Sequence, residues 1–143
     1  MKSIDYLETL DFVDKEKIGM IGLSYGGFYT LCTTVIDTRI KSAFACSHYN
    51  NRYENSWVDW TWFDAGNKFL DNEIASLVYP RYICIPVGDN DAAFAYEFAE
   101  KEYNKLKEMT DNEDWIDFVK FEGIHEFIKD DYYIEKFLNR LED

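Results

Sequence analysis

Basic residues are scarce in this 143-residue chain: 15 Lys and Arg stand against 28 Asp and Glu, for a formal net charge of −13. The acids run from Asp5 to Asp143 without forming one tail. Such a surface repels phosphate backbones and anionic lipid, which argues against nucleic-acid and membrane partners and otherwise keeps the protein dissolved. Cysteine is limited to Cys32, Cys46 and Cys84, an odd number, widely spaced, each in an apolar segment and none in a Cys-x-x-Cys pair. That pattern fits reduced core thiols and argues against a disulfide frame or a thiolate zinc site. Only two prolines occur, and no apolar run approaches the length of a membrane span. The opening "MKSIDYLETL" carries acids where a signal peptide needs an apolar stretch, so a cytoplasmic location is expected.

Apolar residues, by contrast, make up 47% of the chain and aromatic ones 18%, enough for a core and too many for disorder. A chain of this length buries roughly two-thirds of its unfolded surface in a single domain. Apolar segments of strand length alternate with segments of helical period, with no repeat, low-complexity tract or flexible linker, a pattern that predicts an α/β fold. Ile4, Leu7, Leu10 and Val13 are spaced for a first helix. "IGMIG" reads as a buried strand, "IKSAFAC" as a second, "RYICIPVG" as a third with Pro86 marking its end or an irregularity, and "WIDFVKFEG" as the holder of a fourth. A helix begins near Gly26, a long one follows with Phe94, Phe98, Leu106 and Met109 near one face, and a last one carries Ile134, Phe137, Leu138 and Leu141. Strands joined through helices are expected to lie parallel, giving a mostly parallel sheet of about four strands flanked by helices.

Between the first strand and the helix after it stands Gly22-Leu23-Ser24-Tyr25-Gly26, a G-x-S-x-G sequence in the strand-turn-helix context that a nucleophile elbow demands. The turn is tight enough to strain the serine, and Gly22 and Gly26 are expected to supply the space where strand and helix approach. The helix N-terminus behind Ser24 offers backbone N–H groups to a developing oxyanion, Tyr25 N–H first. A plain glycine-rich turn with a bystander serine is the alternative. A phosphate-cradling loop is disfavoured, since neither the Lys-Ser/Thr ending of a P-loop nor a G-x-G-x-x-G occurs.

At three places the sequence resembles the α/β-hydrolases, and among them the dienelactone hydrolase and acetyl xylan esterase-like branch: "VDKEKIGMIGLSYGGFYTL" around the serine, "VGDNDAAF" as an acid loop and "FEGIHEF" as a histidine loop. The resemblance covers nearly the whole chain and implies, in the order serine, acid, histidine, that Ser24 is the nucleophile, Asp91 the acid and His125 the base, with no metal or organic cofactor. Asp89 is the near rival of Asp91. Both lie in the turn after the third strand, and the family's Gly-x-x-Asp spacing favours Asp91, although a helix cap before "AAFAYEF" would also explain an aspartate there. His48 precedes both aspartates and reads as a polar loop residue after the second strand. Residues 50–80 form an aromatic-rich insertion or cap in which Trp57, Trp60 and Trp62 either grip substrate or merely cover the sheet.

Family members have about eight strands and place the nucleophile after the fifth, whereas here it follows the first. The resemblance therefore implies a single domain over residues 1–143 that lacks the N-terminal strands, together with the loop that supplies the second oxyanion N–H. The "IGMIG" strand is left as an apolar sheet edge that needs a cover, with three readings: a fragment of a longer gene, a half that docks with a complementary chain, or a homo-oligomer along that edge. The expected activity is hydrolysis of small carboxylic esters through an acyl-enzyme. A non-catalytic binding or assembly module and a peptidase resembling the prolyl oligopeptidase branch are the alternatives.

Overall fold

Strand β1, Ile18–Leu23, alternates its side chains between two different environments, and this alternation sets the layering of the whole molecule. In the computed structural model, which describes residues 2–54 and 65–142, Ile18 packs with Ile4, Ile40 and Met20 on one face of the sheet. Gly19 lies on the other face, where an added Cβ would sit 2.8 Å from the Phe137 ring. Three further strands follow in chain order: β2, Ile40–Cys46; β3, Tyr82–Gly88; and β4, Ile116–Phe121. They hydrogen-bond in the order β1-β2-β3-β4, every pair parallel, as expected of strands joined by crossovers.

Helix α1, Lys2–Leu7, precedes β1, and α2, Tyr25–Ile36, connects it to β2. Two short helices, α3 at Ala65–Lys68 and α4 at Asp71–Ser76, lie between β2 and β3, while α5, Tyr96–Glu108, joins β3 to β4 and α6, Asp131–Asn139, closes the chain. On one face, Ala43, Ala45, Ile83, Ile85, Val87 and Ile116 of the strands pack with Leu31 of α2, Ile74 and Ala75 of α4 and Ala99 and Leu106 of α5. On the other, Phe44, Cys46, Cys84 and Val119 pack with Phe137 of α6. Both central strands are buried on both faces, which is why they read as continuous apolar runs. The thiols of Cys32, Cys46 and Cys84 are free, and burial pushes those of Cys32 and Cys46 up to about 11.

Several expectations change in detail. The first helix stops at Leu7, and Leu10 and Val13 instead close turns onto Leu7 O and Leu10 O. Pro86 is inside β3, paired with Val119, but the β2–β3 ladder ends at Phe44↔Cys84, so the missing N–H falls where no strand partner needs it. Met109 is exposed at the end of α5, whose buried stripe is Ala99, Glu102 and Leu106. Among the described residues no helix is long and apolar enough to cross a membrane.

Candidate active site

Ser24 adopts φ 59°, ψ −121°, one of two non-glycine residues with positive φ among those described. A side chain in that region costs on the order of 1–3 kcal/mol and persists only where the surroundings enforce it. Three contacts enforce it here. Ser24 N–H donates to Cys46 O at 3.0 Å, tying the turn to the end of β2, and Phe28 N–H donates to Ser24 O at 3.0 Å, the first bond of the helix ladder. A Cβ on Gly22 would stand 2.1 Å from Gly26 O, so strand and helix meet backbone to backbone. Gly26 itself has open space around its missing side chain; the second required glycine is Gly27, where a Cβ would fall 2.6 Å from Cys46 O and 3.0 Å from His48 Nδ1. Tyr25, at the first position of α2, carries the backbone N–H nearest in sequence to the serine.

The other two residues sit at the same end of the sheet. Asp91 is buried in the turn after β3, and His125 follows β4. His125 Nδ1 bonds Asp91 Oδ2 at 2.9 Å, while Asp91 Oδ1 accepts from Ala93 N–H at 2.8 Å and Phe94 N–H at 2.9 Å. The contact fits an Nδ1–H donating to the carboxylate, the arrangement that leaves Nε2 as the acceptor a general base requires. The buried Phe94 ring stacks on the imidazole at 5.6 Å and 23°. Of the two aspartates it is Asp91 whose carboxylate contacts His125; Asp89 accepts from Gly123 N–H at 3.1 Å and Asn90 Nδ2 at 2.8 Å. Through its Oδ1 Asp91 closes an Asx-type turn on Ala93 and Phe94 and does not cap α5, whose N-cap is Ala95 with no side-chain bond.

A row of backbone bonds joins these pieces. Ser24 N–H reaches Cys46 O, Ser47 N–H reaches Pro86 O at 2.9 Å, and Asp89 N–H reaches Phe121 O at 2.9 Å, so the carboxyl ends of all four strands are linked in sequence. This rim is where parallel sheets place their chemistry. A cavity of about 490 Å³ between Lys41, Arg81, Tyr82 and Trp115 lies at the opposite, amino ends of the strands and contributes nothing to the rim.

His48 departs from its reading as a polar loop residue. It does follow β2, but its ring is fully buried against Gly27, neither nitrogen has a hydrogen-bond partner, and burial, aided by Arg52, depresses its pKa to about 3. Behind it lies a buried ion pair. Arg52 Nε donates to Asp71 Oδ1 at 2.8 Å, Asn50 N–H donates to Asp71 Oδ2 at 3.0 Å, and burial outweighs Arg52 to push the Asp71 carboxyl up to about 6. Nothing in the one-dimensional pattern separates this aspartate from the other acids. Trp57, Trp60 and Trp62 lie outside the described residues. Among the described residues no three His, Cys, Asp or Glu side chains gather as metal ligands would.

Residues 1–142, nearly the entire chain, match the prolyl oligopeptidase family. The chain belongs to that family. Within the prolyl oligopeptidase family frame, the uncharacterized protein YcjY of Escherichia coli (strain K12) is 31% identical over 98 residues, 62% of this chain and 32% of that protein. Among solved structures, a glucuronoyl esterase from Solibacter usitatus superposes with a TM-score of 0.74 at 16% identity, covering 99% of this chain and 46% of that one. An acylaminoacyl peptidase in complex with Z-Gly-Gly-Phe-chloromethyl ketone superposes with a TM-score of 0.67 at 18% identity over 85% of this chain and 22% of its own. The fold is that of the α/β-hydrolases, and the chain spans about a third of the curated relative and under half of these two structures. The family matched is the one considered from the sequence as the peptidase alternative; the dienelactone hydrolase-like branch rests on the resemblance of the three motifs.

Proposed function

We propose that this chain carries the catalytic residues of a serine hydrolase that cleaves carboxylic esters. The observation that carries the reading is the positive-φ conformation of Ser24, held between the end of a strand and the head of a helix. That strain is costly, and it lifts a hydroxyl to the rim that His125 and Asp91 also occupy.

In this reading Ser24 Oγ attacks the ester carbonyl as His125 Nε2 takes its proton. The tetrahedral oxyanion accepts from Tyr25 N–H at the head of α2, where the helix dipole also favours negative charge. His125 then delivers its proton to the departing alcohol, leaving an acyl group on Ser24, and a water activated by the same nitrogen releases the acid. Asp91 fixes the tautomer and stabilises the imidazolium throughout. In the resembling fold a second oxyanion donor comes from a loop ahead of the nucleophile strand, and loss of one such donor costs about 10²- to 10³-fold in rate. Activated esters are therefore the substrates of choice for a first assay.

A fluorophosphonate should label Ser24 in the wild-type protein and fail on Ser24→Ala, and hydrolysis of p-nitrophenyl acetate should fall with the label. Absence of labelling in a folded sample supports the binding-module alternative instead. The family match favours a test of peptidase action too, and a peptide p-nitroanilide turned over faster than the ester would assign the site to amide bonds.

A further inference from the structure

We infer that Asp89, the aspartate that does not touch His125, is the positioning residue that presents the histidine loop to Asp91; the inference rests on the serine hydrolase reading of the same site. Beyond the sheet proper, the β3 and β4 ends continue to bond each other. Gly88 is paired with Phe121 in the last rung of the ladder, Asp89 N–H donates to Phe121 O, and Asn90 N–H donates to Gly123 O at 2.9 Å. The complementary donor, Gly123 N–H, would need a carbonyl from the neighbouring chain, but the backbone has by then turned away to form the acid loop. Asp89 Oδ1 takes that place at 3.1 Å. A side chain thus completes a rung that the main chain leaves unmade.

The register of this contact connects it to the chemistry. Asp89 and Gly123 are 34 residues apart, and so are Asp91 and His125. The clasp and the catalytic pair are equivalent rungs, two residues apart on each loop. Gly88 makes the approach unusually close, since a Cβ there would lie 2.5 Å from Ile124 O and 2.7 Å from Gly123 O. No side chain cushions the two loops, so whatever fixes Gly123 fixes Ile124 and, one residue on, His125. The Asp91 bond and the Phe94 stack orient the imidazole ring, but neither touches the backbone of the histidine loop, which the Asp89 clasp holds at Gly123. Asn90 Nδ2, donating to the same Asp89 oxygen, orients the carboxylate for its task.

The experiment compares Asp89→Ala, Asp89→Asn and Asp91→Asn by ¹H NMR of the His125 Nδ1 proton, Gly123 amide exchange and p-nitrophenyl acetate kinetics. Asp89→Ala is expected to broaden or abolish the Nδ1–H resonance, as Asp91→Asn does, to speed Gly123 exchange, and to lower kcat about ten- to hundredfold at unchanged KM, the scale of a displacement near 1 Å. Asp89→Asn keeps a carbonyl acceptor and should restore both resonance and turnover. Should Asp89→Ala fail to fold, Asp89→Ser, with a shorter side chain, carries the same comparison. If Ser24 labels and turns over while Asp89→Ala leaves resonance and turnover unchanged, the clasp is wrong and the hydrolase reading stands. If the resonance responds to Asp89→Ala while Ser24 never labels, the clasp stands and the hydrolase reading falls.

Discussion

His48 shows how much a single side chain can be altered by its surroundings. An ordinary histidine titrates near 6.5, but this one is sealed between the first turn of α2 and the end of β2, where a charge would have no water and no partner. Its folded pKa is depressed to about 3, so between pH 6.5 and about 3 the unfolded chain binds the extra proton. The contribution to stability is complete above pH 6.5 and is lost as the pH falls through that window, by at most about 1.4 kcal/mol per unit. We expect ¹⁵N NMR to show His48 still neutral at pH 5; a His48 titration midpoint near 6 would mean that the ring is hydrated. The same packing explains why Gly27 is irreplaceable, since any side chain there meets either Cys46 O or the imidazole. The sequence pattern assigned that role to Gly26, which stands in open space; the close approach falls at Gly27 instead, because it is made by Cys46 and His48 at the end of β2.

At the scale of elements, the buried pair of Arg52 and Asp71 acts as a staple. Asn50 and Arg52 leave the end of β2, Asp71 opens α4, and the carboxylate of Asp71 binds both, so the two ends of the aromatic-rich excursion are closed upon each other. Removing one member strands the other in a dry site, and Asp71→Asn should cost on the order of 3–5 kcal/mol in urea unfolding. The carboxyl of Asp71 is raised from 3.8 to about 6, opposite in sense to His48: its folded form holds the extra proton between those values, so its contribution declines as the pH rises through them. In the wild-type protein the two slopes oppose each other between about pH 4 and 6. Asp71→Asn should uncover the His48 slope, visible as a urea midpoint that falls steeply with acid over that range, and an unchanged pH profile would mean that burial does not raise the Asp71 carboxyl. The sequence pattern recovered all four strands to within a residue or two because β1 and β3 are apolar runs bounded by turns, while β2 and β4 keep enough apolar residues around Lys41, Ser42, Asp117 and Lys120 to read as strands. It overextended the first helix because Leu10 and Val13 have helical spacing but are half-buried in turns beyond Leu7, leaving Ile4 as the helix's buried residue. It also missed Glu102, fully buried on α5 beside Lys105, since a charged residue in a core stripe is invisible to a hydrophobic pattern.

The whole molecule is asymmetric from one side of its sheet to the other. β4 is one edge and β1, the strand that delivers the nucleophile, is the other, paired only with β2 among the described residues. Ile21 is 50% exposed there, and Tyr25, Tyr29 and Ile36 of α2 are exposed alongside. We propose that this edge recruits a neighbour, since unpaired strand edges template further pairing. Light scattering after size exclusion should report association at high micromolar concentration, weakened by Ile21→Lys. Ile18, although on the same strand, is unsuitable for that test because it is buried with Ile4 and Ile40. A stable monomer with slow amide exchange from Gly19 to Gly22 would show that the edge needs no partner. The fold class was legible from alternating strand and helix patterns, and the G-x-S-x-G turn from its place between a strand and a helix, whereas the pairing of Asp91 with His125 was expected only through the family resemblance. The clasp at Asp89 and the staple at Asp71 were not, because both join residues whose proximity is decided by strand order alone.

The contact between Gly88 and the Gly123–Ile124 backbone also works as a key for alignment. Sliding β4 by one residue against β3 would carry the histidine loop about 3.3 Å along the sheet and turn every side chain of the strand to the opposite face. It would also bring a different peptide over Gly88, breaking a fit that leaves no room for even one methyl group. Folding errors of this kind are therefore penalised twice, once in the core and once at the rim, so a misregistered chain cannot keep its hydrophobic packing and lose only its chemistry. Inactive but fully folded register isomers should be absent from any preparation of this protein.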